Sequence, residues 1–195
     1  LIHLLHHNSG LAEKVSLKSR NACQRRPDWE KFLHAEWAQL DSHATQNAYG
    51  PPIPRSSLPT DSVVGTQLWT YIVKRDGTYK ARDCLNGKQL TRRGAVYVNT
   101  YAQCIRLPTL RLYMALAALL GYTLETCDVK NAYANANSPA DNLYVTVDPQ
   151  YRDWHAHKTG AALPPVPMVL RVQKALQGHP EAGNRWDQKV QETII

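Results

Sequence analysis

The dipeptide Asp76-Gly77 lies between two runs suited to extended backbone, and no other stretch constrains the fold so tightly. Leu68-Trp-Thr-Tyr-Ile-Val-Lys74 is dense in β-branched and aromatic side chains, and Thr78-Tyr-Lys-Ala-Arg82 follows the turn. Asp-Gly accepts the left-handed backbone of a tight turn, so an antiparallel hairpin is predicted. The same region carries Lys74, Arg75, Lys80, Arg82, Lys88, Arg92 and Arg93 against only Asp76 and Asp83. This is a local basic face in a chain of net charge +7, and phosphate backbones are bound by such faces. Lys80 and Arg82 stand two residues apart on a strand and so share one side, as joint contact with one phosphate chain requires. The alternative use of such a strand is a charged surface that resists edge-to-edge association.

Around the hairpin, helical and extended patterns mix irregularly. Pro27-Asp28 opens a helix with Trp29, Leu33, Trp37 and Leu40 on one face. Ser42 to Ser62 is rich in Gly, Pro, Ser and Asn, and Gly50-Pro-Pro-Ile-Pro54 excludes regular structure. Pro108 starts a helix with Leu112, Leu116 and Leu119 in register, closed by Gly121. A strand ending at Asp128 follows, then strands at Leu143–Val147 and Met168–Val172 with a Pro- and His-bearing loop over 148–167 between them. Gln177 to Pro180 reads as a turn, and a last helix carries Trp186, Val190 and Ile194. Without regular βαβ alternation the fold class is α+β. Residues 1–26, polar and basic with no sustained period, read as a linker or disordered arm, leaving 27–195 as the folded part.

Several classes are excluded. Cys23, Cys84, Cys104 and Cys127 form no C-x-x-C pair, which indicates free thiols in a reducing compartment. His3, His6, His7, His155 and His157 lack partners at zinc spacing and read as solvated. The longest apolar stretch, Leu107 to Leu120, contains Arg111 and is too short to span a bilayer, and no signal peptide is visible. The start at Leu1 and the stop inside an apolar helical pattern are expected of a piece of a longer polypeptide.

The segment from Tyr122 to Tyr133 carries the candidate chemistry. A carboxylate at a strand end, Asp128, can hold a divalent metal, and an aromatic ring five residues on, Tyr133, can form a floor under a sugar. Strand-end aspartates also serve as turn residues, and tyrosines as core residues.

The order of the pieces adds to this. Trp29-Glu-Lys-Phe-Leu-His-Ala-Glu-Trp-Ala-Gln-Leu40 is followed by Asp76-Gly-Thr-Tyr-Lys-Ala-Arg82, by Ile105-Arg and a leucine-rich helix, and by Cys127-Asp-Val-Lys-Asn-Ala-Tyr133. Leu143-Tyr-Val, Lys174-Ala-Leu-Gln-Gly178 and Trp186 complete the series. In that order and spacing, from about Trp29 onward, the chain resembles the reverse transcriptase of copia-type LTR retrotransposons. The resemblance implies a polymerase right hand, here the fingers and a partial palm, incomplete on the C-terminal side.

By resemblance, Asp128 is a catalytic residue and the first of the metal-binding carboxylates, and Mg2+ is the cofactor. In such sites two ions about 3.5–4 Å apart activate the attacking hydroxyl and steady the leaving group. Lys80 and Arg82 match the fingers residues near the triphosphate, Tyr133 the ring under the deoxyribose, and Gln177 and Gly178 a turn lying against nucleotide and template. The implied partners are a dNTP and an RNA or DNA template–primer, with no membrane. Integrase upstream, and the rest of the palm and ribonuclease H downstream, would complete a polyprotein in a cytoplasmic virus-like particle or the nucleus. Three departures stand out. Asp83-Cys-Leu-Asn-Gly-Lys88 replaces a mostly apolar run, Gln177 stands where a tyrosine is usual, and Gly183-Asn184 replaces proline-arginine. The sequence contains no Asp-Asp pair, which the family needs for its second and third carboxylates, so this chain alone is expected to be catalytically silent. The alternatives are a non-catalytic nucleic-acid-binding remnant of a degenerate retroelement, and an interaction module using Trp29 and Trp37.

Overall fold

The computed structural model describes residues 15–194, except 18, 93–98, 139 and 141. His3, His6, His7 and Arg93 lie outside the described residues. The elements run β1 (Val15–Leu17), α1 (Arg20–Gln24), α2 (Trp29–Thr45), β2 (Ile53–Pro54), β3 (Val63–Gly65), β4 (Gln67–Val73) and β5 (Tyr79–Leu85). Then come α3 (Gly87–Arg92), α4 (Leu107–Leu120), β6 (Leu143–Thr146), α5 (Pro149–Thr159), β7 (Met168–Arg171) and α6 (Ala182–Ile194). Two sheets form, ordered β1-β4-β5 and β2-β7-β6-β3, and only the β3–β6 pair is parallel. Helices and strands are mixed without βαβ units, as expected for α+β.

The hairpin forms around the Asp-Gly turn. β4 and β5 pair antiparallel with Ile72 opposite Lys80 and Thr70 opposite Arg82. Gly77 adopts φ 78°, and the Asp76 carboxylate accepts from the Thr78 amide at 2.9 Å. Along β5, Ala81, Asp83 and Leu85 are buried while Lys80, Arg82 and Cys84 are half-exposed. Period-two alternation thus sends one aspartate into the core.

Five sequence expectations are corrected, the first at Ile53–Pro54, which was expected to exclude regular structure and instead pairs antiparallel with Val169 and Met168 of β7 as the edge strand β2. The helix over Trp29–Thr45 buries Leu40 of the expected face, but together with Phe32, Glu36 and His43, a stripe rotated away from Trp29, Leu33 and Trp37. Trp29 lies under the Arg20 guanidinium, 5.2 Å from the ring centroid, and Trp37 stacks on His157 at 3.9 Å. Both rings are half-buried and engaged within the fold, which gives the interaction-module reading no support.

The expected arm over 1–26 contains β1 and α1. Ser19 caps α1 by accepting from the Ala22 amide, and β1 pairs with β4. Arg20 then reaches the fully buried Glu36, Nε to Oε1 at 3.1 Å and Nη2 to Oε2 at 2.9 Å, and also Asp153 at 2.7 Å. A short basic segment carries little hydrophobic period, so its long-range ion pair leaves no sequence signature.

The loop expected over 148–167 contains α5. Its signals were local: Asp148 accepts from the Tyr151 amide at 2.8 Å as N-cap, Pro149 opens the first turn, and Gly160 closes it at φ 72°. The strand expected to end at Asp128 does not form, and residues 122–129 have no regular structure. They pair with no strand among the described residues, and an extended segment needs a ladder partner. The preceding helix α4 does form, with Gly121 at φ 69° as its cap, but buries only Ala117. Leu112, Leu116 and Leu119 are 61%, 46% and 80% exposed. No described helix is long and apolar enough to cross a membrane.

The Arg20–Glu36 pair generates the first prediction. Removing the guanidinium strands a buried carboxylate, so Arg20→Ala is expected to cost about 3–5 kcal/mol in urea unfolding. Arg25→Ala, at an exposed neighbour, serves as reference. A loss below about 1 kcal/mol would show that the N-terminal segment does not anchor the fold.

Candidate functional site

A cleft of about 460 Å³ opens between α2, β5, the segment over 128–134 and the turn over 175–177. Its wall includes Lys80, Arg82, Asp83, Asp128, Tyr133 and Gln177. Five of the six residues singled out from the sequence therefore meet in one cavity, drawn from three distant parts of the chain.

Each reaches the cleft for a local reason. Lys80 and Arg82 are placed by the hairpin register, on the half-exposed side of β5. Asp128 and Tyr133 flank a tight bend in which Asn131 takes the left-handed conformation, φ 46°. Asparagine tolerates that region, and its side chain donates to Ser42 Oγ of α2 at 2.8 Å. The Ala134 amide donates back to the Asn131 carbonyl at 2.9 Å, and Tyr133 packs on Ala136, Ala175 and Ala182. Asp128 is thus positioned by the turn that follows it.

Gln177 and Gly178 are held against the end of β5, where the Leu85 amide donates to the Gln177 carbonyl at 2.7 Å. Gly178 adopts φ 93°, and any Cβ on it would collide with the Leu85 backbone. A Cβ on Gly87 would likewise collide with the Gly178 carbonyl. The close backbone approach expected at Gly178 is made to the protein's own strand, and Gly178 is not part of the cleft wall. Its glycine is explained by packing alone.

Lys80, Arg82 and Lys130 share the cleft wall with Asp83 and Asp128. Burial holds the Lys80 ammonium below its ordinary value, helped by Arg82 and Lys74, while Asp128 acts in the opposite sense. A bound anion would relieve this repulsion. Asp128 is exposed and offers a single carboxylate. Among the described residues no group of three His, Cys, Asp or Glu could hold a metal ion. The donors present therefore do not fit a two-ion magnesium centre.

Asp83 is marked by the sequence as a counter-charge to the basic cluster and as the start of a departure from the resembled family, and not as a site residue. It is instead the centre of a buried polar group: Tyr49 donates to its Oδ2 at 2.6 Å and Gln67 Nε2 at 2.8 Å, while Oδ1 has no partner. Burial raises its pKa to about 6, against the lowering effect of Tyr49 and Gln67. His43, from α2, is lowered to about 4 by burial. The available signal was the alternation along β5, which puts position 83 on the same side as Ala81 and Leu85.

A family model described as reverse transcriptase (RNA-dependent DNA polymerase) matches residues 56–195, and the chain belongs to that family. The match covers β3 through α6 and hence the hairpin, the 128–134 segment and the 175–177 turn. Helix α2, which forms the remaining wall, precedes it. No curated protein and no solved structure matches the chain.

The raised pKa of Asp83 implies a stability change with a defined sign. The folded state holds the proton more tightly than the unfolded state, so this contribution is present below pH 3.8 and lost as pH rises through about 6. Asp83→Asn should match the wild type near pH 4 and exceed it by about 2 kcal/mol at pH 7.5. His43 acts oppositely, losing stability as pH falls from 6.5 towards 4. Because it contributes equally to both proteins, the difference between their melting curves isolates Asp83. A difference that is constant with pH would refute the assignment.

Proposed function

We propose that the chain supplies the fingers and first part of the palm of an RNA-directed DNA polymerase from a copia-type LTR retrotransposon, and that the cleft receives the incoming nucleotide. The observation that carries this reading is the convergence of Lys80, Arg82, Asp128, Tyr133 and Gln177 on one cavity within a reverse transcriptase domain. Lys80 supplies a point charge and Arg82 a planar fork, and together they grip the phosphates. Tyr133, fixed by its alanine bed, lies beneath the sugar. Gln177 borders the nucleotide from the turn, and Gly178 keeps that turn close to β5. Asp128, on the cleft wall with Lys80, is the metal-binding and catalytic carboxylate of this reading, a role that needs further carboxylates beyond those of the cleft. The basic hairpin tracks the phosphates of an RNA or DNA template–primer. The context is a polyprotein with integrase, the remaining palm and ribonuclease H, working in a virus-like particle or the nucleus.

On this reading the chain binds nucleotide and template–primer but does not join them. The second reading, a nucleic-acid-binding remnant in which Asp128 has no role, is favoured by the single exposed carboxylate and the departures at Asp83, Gln177 and Gly183-Asn184. Fluorescence anisotropy with a labelled template–primer should show affinity falling steeply with salt. Paired substitution Lys80→Ala and Arg82→Ala should weaken dNTP binding about tenfold or more. Primer extension by the chain alone should be absent. Salt-insensitive binding, or dNTP affinity unmoved by the paired substitution, would overturn the cleft assignment; extension by this chain would overturn the need for further carboxylates.

A further inference from the structure

The cleft contains a group that its cations do not account for. Asp83 lines it from the core side, its side chain is fully buried, and its Oδ1 meets no hydrogen-bond donor. A buried carboxylate oxygen without a donor is costly whenever it is charged, so this position stays ionised only against strain. On β5 it belongs to the buried face, with Lys80 and Arg82 on the half-exposed face of the same strand, and all three residues line the one cleft. An ionised carboxylate there favours cations in the cleft and disfavours anions, in direct opposition to Lys80 and Arg82.

The surroundings leave Asp83 poised to take up a proton. From β4 and the loop before β2 come the neutral donors Gln67 and Tyr49. From α2 comes His43, with Nδ1 at 3.6 Å from Asp83 Oδ2, beyond hydrogen-bond reach. Gln39 Nε2 lies 2.8 Å from His43 Nε2, and an amide nitrogen only donates, so Nε2 accepts and Nδ1 carries the proton facing Asp83. Behind β4, Asp148 of the α5 cap adds a second buried negative group, bound to Trp69 Nε1 at 2.6 Å and absent from the cleft wall. Lys80 and Arg82 come from the strand itself, and Asp128 and Lys130 from the opposite wall.

Resting on the reading of the cleft as a phosphate-binding site, we propose that Asp83 sets its anion affinity: ionised, it opposes phosphate binding at Lys80 and Arg82, and protonated or replaced by a neutral isostere, it lets the phosphate in. Binding of a polyphosphate is therefore coupled to uptake of one proton at this carboxyl.

The test compares dATP affinity of the wild type and Asp83→Asn, by calorimetry, from pH 5 to pH 7.5. The ligand's own titration and that of exposed histidines are common to both proteins and cancel in the ratio. Asp83→Asn should bind about tenfold tighter at pH 7.5, the two proteins should converge at pH 5, and the change should centre near pH 6. A merely structural role for Asp83 would shift affinity without that convergence. Tyr49→Phe gives a second reading should the asparagine variant fail to fold. Tyr49 lowers the Asp83 pKa, so its loss should move the wild-type midpoint to higher pH. A pH-independent ratio, or a midpoint unmoved by Tyr49→Phe, overturns the role of Asp83. If Lys80→Ala with Arg82→Ala leaves dATP affinity intact, the reading of the cleft itself has failed instead.

Discussion

The buried carboxylate of Glu36 sets the geometry on which the cleft depends. It is fully enclosed, receives a fork from Arg20 and accepts from Tyr71 Oη at 2.6 Å, and Tyr71 in turn accepts from Gln150 Nε2 at 3.1 Å. One anion thus ties together α1, α2, β4 and α5. Burial pushes the Glu36 pKa upward while Tyr71 and Arg20 pull it down, so the arrangement tolerates neither loss of the cation nor loss of the hydroxyl. Since α2 and β5 are two walls of the cleft, the distance between those walls is fixed from behind by this network. Phe32 completes the contact, edge-on to Tyr79 at 4.8 Å and to Tyr71 at 6.1 Å.

Local chemistry was legible in the sequence and long-range polar chemistry was not. The hairpin, the Gly121 cap and the strands at Leu143 and Met168 follow from turn residues and period-two patterns, which act within a few residues. The tryptophan stripe of α2 misled because Glu36 and His43 are polar, and a hydrophobic count assigns them to solvent. Glu36 is held by Arg20 and Tyr71, sixteen and thirty-five residues away in sequence, and His43 by Gln39 one turn earlier on the same helix. The candidate site shows the same division. Lys80, Arg82, Asp128, Tyr133 and Gln177 were found because short words resemble a known family. Asp83, His43, Tyr49 and Gln67 were missed because only folding brings them together.

Gly87 and Gly178 explain how the third wall is held without side chains. Each glycine sits where a Cβ would strike the other's neighbourhood, so the 177 turn and the start of α3 cross backbone to backbone over Leu85. The Leu85 amide, free of the β4 ladder at the strand's end, spends its donor on the Gln177 carbonyl. The 177 turn and strand β5, two parts of the cleft wall, are therefore registered by one hydrogen bond and two absent side chains. The glycine that resemblance places at the nucleotide has its physical necessity on the strand side.

Helix α4 and the segment after it obey a different logic from the rest. Leu107, Leu112, Tyr113, Met114, Leu119 and Leu120 are each more than half exposed, and they surround the helix on every side. A helix apolar all round suits an interior, whereas a surface helix keeps one polar face. Its capping by Pro108 and Gly121 is local and survives without neighbours, but the strand predicted after it is not local and does not. Asp128 nevertheless reaches the cleft, because Asn131 fastens the following turn to Ser42 of α2. The carboxylate is thus delivered to the cations by a side-chain hydrogen bond to a helix, and the sheet edge that sequence logic assigned to it plays no part in placing it.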